Sequence, residues 1–187
     1  MGRAQVAMVQ TPQSLVSRFA EGDTAAFDEV VRLYGRDVYR VARRMTDCAD
    51  DADDVVQETF IRAFQRLGEV DGDASVKRWL LTITINLCID RRRRRRLPVS
   101  ELSFDPPAER SAADHELLNR ELGQHLHAAL SKLSGQQRAC FVLHEIEGLK
   151  VAEIAQIVGC SDGAVKCYLH RARDRLQKQL APYLLAP

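Results

Sequence analysis

The chain has 187 residues, 27 of them Lys or Arg and 26 Asp or Glu, which leaves a formal net charge of +1. Hydrophobic residues at 45% are enough for packed cores, and low counts of Gly (10) and Pro (6) disfavour disordered, collagenous and β-rich classes. No apolar run reaches the roughly 18 residues of a membrane helix, and Met1 to Gln10 has no apolar stretch of signal-peptide length, so a cytoplasmic protein without membrane insertion is expected.

Nearly every segment reads as helix. Thr11 and Pro12 suit the cap and first turn of a helix running to Phe19. Asp23 suits the cap of a second helix through Tyr34, with Phe27, Val30, Val31 and Tyr34 at helical spacing. Gly35 is expected to break it before Arg36 to Met45 continues. Asp50 to Leu67 follows, with acids in its first turn and Phe60 and Phe64 expected in the core. Gly68 to Ser75 (GEVDGDAS) reads as a loop, and Val76 to about Arg94 as a helix despite the strand-favouring Thr82–Ile85. Trp79, Ile83 and Asn86 keep a helical period there.

From Leu97 to Ala113 the periodicity collapses around Pro98, Pro106 and Pro107, as in a flexible linker. It resumes from His115 to Leu133. Ser134 then caps a helix to about Glu147, and two more helices follow, Lys150 to Val158 and Ser161 to about Leu180. The expected class is all-α: two small helical domains, 11–96 and 115–184, joined by an acidic linker over 97–114.

Charge is distributed unevenly. Asp50, Asp51, Asp53, Asp54 and Glu58 form an acidic run, while Lys77 to Arg96 carries eight bases, six of them consecutive, against the single acid Asp90. Acids win again between Glu101 and Glu121, six to two, and bases between Asp162 and Lys178, five to two. A block of like charges repels itself and gains most beside a polyanion. A basic helix bearing an aromatic suits single-stranded DNA, because bases stack on the ring while cations hold phosphates.

The sharpest local pattern is VAEIAQIVGCSDGAVKCYLHRARDRL, Val151 to Leu176. Ile154, Ala155 and Val158 form an apolar face, Gly159 permits a left-handed turn, Ser161 caps the next helix, and Val165, Leu169 and Leu176 pack it back. That phase turns Lys166, Cys167, His170, Arg171 and Arg173 outward, a face that fits a major groove.

The five cysteines (48, 88, 140, 160, 167) contain no CxxC and read as thiols. Cys160, Cys167 and His170 lack the fourth ligand and tight pairing of a structural zinc site. No phosphate loop, HExxH or nucleophile motif occurs, so no catalytic residue, metal, cofactor or small-molecule substrate is expected. A stand-alone helix-turn-helix regulator would explain the C-terminal pattern, but not an acidic helix followed by an arginine block.

DADDVVQETFIRAF, VKRWLLTITINLCIDRRRRRR, LSGQQRACFVLHEIEGL and the Val151–Leu176 stretch, in this order, resemble the extracytoplasmic-function group of bacterial sigma factors over about residues 11–180. The resemblance implies a transcription initiation factor that binds core RNA polymerase and promoter DNA and is commonly held by an anti-sigma protein packed between its domains. It implies polymerase contacts, to the β′ clamp helices, at Asp51, Asp54, Gln57 and Glu58, with the β flap as a second contact. It implies −10 contacts at Asp71, Lys77, Arg78, Trp79, Asn86, Arg91 and Arg92, the Gly68–Ser75 loop being the one that captures a flipped base. It implies −35 contacts at Ser161, Lys166, Cys167, His170, Arg171 and Arg173. Thr82 stands where the family often has a basic residue.

Overall fold

The computed structural model describes residues 14–95, 123 and 125–184, and these are almost wholly helical. The linker expected over 97–114, the Thr11 cap and the start of the His115–Leu133 helix lie outside the described residues. The N-terminal half contains α1 (Leu15–Ala20), α2 (Ala25–Met45), α3 (Ala49–Arg66) and α4 (Asp73–Arg95). The C-terminal half contains α5 (residues 125–131), α6 (Gly135–Phe141), α7 (Val151–Val158) and α8 (Asp162–Leu184).

Gly35 does not break α2, which runs unbroken through it. A mid-helix glycine costs about 1 kcal/mol, and burial of Val30, Val38, Val41, Ala42 and Met45 along the same helix offsets that. Asp23 does serve the start of α2, its Oδ1 accepting from Ala25 N at 3.0 Å. The expected Gly68–Ser75 loop is shorter than its composition suggests. A 3-10 turn covers Leu67–Glu69 and α4 begins at Asp73. Asp73 is drawn into the fold because its carboxylate caps α1, accepting from Ser14 Oγ (2.6 Å), Leu15 N (2.9 Å) and Val16 N (3.1 Å).

The strand-favouring Thr82–Ile85 is helical. Thr84 satisfies its hydroxyl on Leu80 O at 2.8 Å and meets Thr59 Oγ1 at 3.3 Å, so a buried polar pair joins α3 to α4 without a strand. Ser134 and Gln137 form a reciprocal cap at the start of α6. Beyond Phe141 the helix widens over Val142–Ile146, with Glu147 N donating to Val142 O at 3.1 Å, and Gly148 ends it at φ +68°.

One cluster of buried side chains belongs to the N-terminal half alone (Val16, Val30, Val38, Ala63, Leu67, Leu80) and another to the C-terminal half (Leu130, Leu133, Ala172, Leu176). The largest cluster is shared. Val41, Val55, Leu81, Ile85 and Cys88 of the first half pack in one core with Cys140, Leu143, Ile154, Ile157 and Val165 of the second. Two helical bodies are present as the sequence suggests, but they are closed on each other.

Arg138, Arg40, Arg92 and His127 make polar ties across the junction. Arg138, fully buried on α6, donates to Arg44 O (2.6 Å), Thr46 O (2.7 Å) and Asp47 Oδ1 (2.7 Å) at the corner between α2 and α3. Arg40 forks onto Glu147 at 2.7 and 2.6 Å. Arg92 donates to Ser131 O and to Leu133 O. His127 Nε2 lies 3.1 Å from Asp47 O.

Candidate nucleic-acid interface

The C-terminal candidate is built by the turn between α7 and α8. Gly159 takes φ +69° and ψ +46°, donating to Ala155 O at 3.0 Å, and Ser161 Oγ accepts from Ala164 N at 3.2 Å. A Cβ at Gly159 would meet no neighbour, so the left-handed backbone itself selects glycine. Val165, Leu169, Ala172 and Leu176 are buried along α8. The opposite face presents Lys166, Cys167, His170, Arg171 and Arg173 to solvent, with Ser161 exposed at the helix start. Arg173 is the one of these tied within the protein. Its Nε and Nη2 reach Glu145 Oε1 at 3.0 and 2.5 Å, and the guanidinium holds the Glu145 carboxyl below its ordinary range.

The second candidate lies on α4 and the turn before it. Asp71, Ser75, Arg78, Trp79 and Thr82 line an open concavity of about 360 Å³ that Arg66 and Glu69 close from the end of α3. Gly72, at φ +72°, makes the turn that brings Asp71 to its rim. Trp79 is half-buried: one side leans on the N-terminal core and the other faces the concavity. Asn86, seven residues on, shares its helix face and is exposed. Lys77 is turned away from it, onto Asp37 at 2.7 Å. Thr82 bonds back to Arg78 O at 2.9 Å and adds no cation here. Arg91 and Arg92 lie about 18 Å further along the helix, engaged with Asp51, Asp54 and the α5–α6 carbonyls.

The third candidate is a groove of about 460 Å³ between α3 and α4, lined by Asp54, Gln57, Glu58, Ile61, Leu87 and Asp90 among others. Three of the four acidic-helix candidates meet there. Asp51 does not. It is buried one turn earlier, paired with Arg95 at 2.6 Å. Phe64, expected in the core, is 47% exposed, although its ring sits edge-on to Phe19 and Phe27 at 5.3 and 5.1 Å.

Sequence reasoning missed Arg138 and Gln156. Arg138 is a single cation beside the apolar run Ala139–Leu143, and that isolation was its only signal. Gln156, on α7, reaches the edge of the Trp79 concavity only because the two halves close on each other. Cys88 and Cys140 are buried, and burial pushes each thiol up to about 12, so neither is a reactive thiolate. No group of His, Cys, Asp and Glu among the described residues is arranged to hold a metal ion.

A helix-turn-helix with an open basic face, coupled to a second helical body carrying an aromatic concavity and an acidic groove, defines a DNA-reading protein of two parts. Residues 30–97 match sigma-70 region 2, and residues 124–176 match sigma-70 region 4. The chain belongs to the extracytoplasmic-function group of the sigma-70 family. It is 34% identical over 184 residues to the RNA polymerase sigma-H factor of Pseudomonas aeruginosa, covering 92% of this chain and 95% of that one. It is 39% identical over 171 residues to the ECF RNA polymerase sigma factor SigE of Mycolicibacterium smegmatis, covering 88% of this chain but 66% of that longer relative. Its fold is similar to that of the sigma factor RpoE in complex with the anti-sigma factor NepR from Bartonella quintana, with a TM-score of 0.63 and 26% identity over 83% of this chain and 96% of that one.

Proposed function

We propose that this chain is an alternative sigma factor that docks on core RNA polymerase, directs it to a promoter and helps open the DNA, acting as a dissociable binding factor with no catalytic site of its own. The supporting observation is the pairing, in one chain and in this order, of a region 2 body with an aromatic concavity and a region 4 body whose recognition helix is open to solvent. Residues 11–96 are assigned polymerase docking and −10 opening, 97–114 the tether, and 115–184 the −35 contact. Asp54, Gln57 and Glu58 face the polymerase, with Asp51 supporting them from beneath. Asp71, Arg78, Trp79 and Asn86 hold an opened strand, bases stacking on the indole and cations meeting phosphates. Lys77, Arg91 and Arg92 add positive charge to that path.

Ser161, Lys166, Cys167, His170 and Arg171 enter the −35 major groove, and Arg173 contacts its backbone after leaving Glu145. Two modest modules on one tether gain by effective concentration. The junction between the two bodies is the surface assigned to an anti-sigma protein, the kind of partner with which the Bartonella quintana relative was solved. No helix among the described residues is long and apolar enough to cross a membrane, and the work assigned to the chain places it in the cytoplasm. Run-off transcription with purified core polymerase tests this. Promoter-dependent transcripts are expected only when the chain is added, and failure of the folded chain to bind core polymerase overturns the reading.

A further inference from the structure

Arg91, Arg92 and Arg95 of the arginine run are engaged inside the protein. Arg91 Nη2 meets Asp54 Oδ2 at 3.0 Å, and its Nη1 meets Asp51 O at 3.2 Å and Asp51 Oδ1 at 3.8 Å. Arg95 Nη2 meets Asp51 Oδ1 at 2.6 Å. Arg92 turns to the carbonyls of Ser131 and Leu133 on the other half, with Asp47 Oδ1 at 3.9 Å. Asp54, Arg91, Asp51 and Arg95 thus form one chain of alternating charge. It runs from the exposed rim of the α3–α4 groove, where Asp54 is 60% exposed, to a covered end, where Asp51 is 12% exposed.

A carboxylate at this distance occupies the guanidinium edge that a phosphate would use, since both anions accept the same paired N–H donors. Arg91 and Arg95 remain 41% and 60% exposed. The Arg91–Asp54 pair, exposed on both sides, is therefore of the weak, screened, reversible kind, and the Arg95–Asp51 pair is open to solvent on its arginine side.

We propose that the acidic helix masks the arginine run in the free chain: Asp51 and Asp54 stand in for DNA phosphates on Arg91 and Arg95, and a cation arriving at Asp54 releases Arg91 to DNA. The polymerase end of this coupling rests on the assignment of α3 to polymerase docking. A basic surface that takes Asp54 frees Arg91, whose remaining contacts to Asp51 are the longer ones, while Arg95 keeps its pair with Asp51. Docking and DNA affinity are then linked, and by reciprocity DNA strengthens docking by the same factor.

The test uses the full chain without polymerase and a labelled mixed-sequence single strand, followed by anisotropy across a salt titration. Asp51→Asn with Asp54→Asn should raise affinity about three- to tenfold, the scale of a few exposed ion pairs. It should steepen the salt slope by about 1.4, two further phosphate contacts on a single strand. Adding Arg91→Ala and Arg95→Ala should abolish the gain. Asp50→Asn with Asp53→Asn removes the same charge from the same helix, from exposed carboxylates that pair with neither Arg91 nor Arg95, and should give little gain. Equal gains from the two double variants, no gain from the first, or a gain that survives loss of both arginines overturns the proposal. If the first double variant fails a thermal-melt check of folding, Asp54→Asn alone carries the test with a smaller expected gain. Binding of the unaltered chain to core polymerase is measured separately. Its absence would refute the docking assignment, while the masking stands or falls on the DNA assay.

Discussion

Arg138 Nη1 donates to Asp47 Oδ1 at 2.7 Å across 91 positions of sequence. The guanidinium has no exposed surface, while the Asp47 side chain keeps 35% of its own. Burial pulls the Arg138 pKa down and Asp47 pulls against it, and the two carbonyls of Arg44 and Thr46 complete the set of acceptors. The arginine of one half is thus the polar centre of its junction with the other.

Removing either partner should be unequal. Arg138→Ala leaves two buried carbonyls unpaired and a void, and should cost about 3–5 kcal/mol in chemical denaturation, the range for breaking a buried pair. Asp47→Asn keeps an acceptor at a partly hydrated position and should cost clearly less. Small-angle scattering should show the halves of folded Arg138→Ala further apart than in the parent chain.

The same junction should respond to acid through His127. Burial lowers the pKa of this imidazole, with the Asp47 carbonyl opposing. The unfolded chain takes up the proton near pH 6.5. Above that value the neutral ring is in place and its contribution is complete. Below it, protons favour the unfolded state, and the contribution is lost as pH falls through the lower folded value. The melting temperature should fall between about pH 7 and pH 5, and the fall should be shallower in His127→Gln.

The recognition face predicts a clean separation of effects. Lys166→Ala with His170→Ala touches no buried residue of α8 and should leave melting temperature and polymerase binding unchanged while weakening −35 preference. Unchanged preference in footprinting would mean the wrong face of α8 has been assigned.

Trp79→Ala should separate opening from binding. The indole is shared between core and concavity, so a modest loss of stability accompanies the change. The informative readout is permanganate reactivity at the opened strand, which should drop while closed-complex binding persists.

Asp73→Ala removes the carboxylate that caps α1 from a distant helix. Neighbouring groups shape its pKa in opposite directions: burial raises it, the Ser14 hydroxyl and two backbone amides lower it more, and the net shift is down. The expected cost is about 1 kcal/mol, typical of a lost helix cap, read as a lower denaturation midpoint at neutral pH.

Much of this molecule is local, and what is local was readable. Gly159 and Ser161 mark the turn of the DNA-reading motif, and the spacing of Val165, Leu169 and Leu176 sets which face of α8 is open. The all-helical class follows from the same periodicity. What depends on distant partners was not readable. Gly35 looks like a helix end because its cost is local, whereas the burial that overrides it comes from α3 and α4. Asp73 looks like a loop residue because its three donors are nearly 60 positions away. Asp51 and Asp54 look equivalent, yet one is buried under Arg95 and the other faces the groove. The closure of the two halves depends on an arginine whose acceptors are two carbonyls and an aspartate on another helix pair.

The shared core also gives the junction a thermal character. Leu81, Ile85 and Leu143 are held together there by removal from water, a force that is largely entropic near room temperature and weakens on cooling. Opening the junction therefore carries a positive heat-capacity change, and any protein that re-covers the apolar side chains should bind with a negative one. Chilling should therefore weaken the junction and warming toward the optimum should strengthen it.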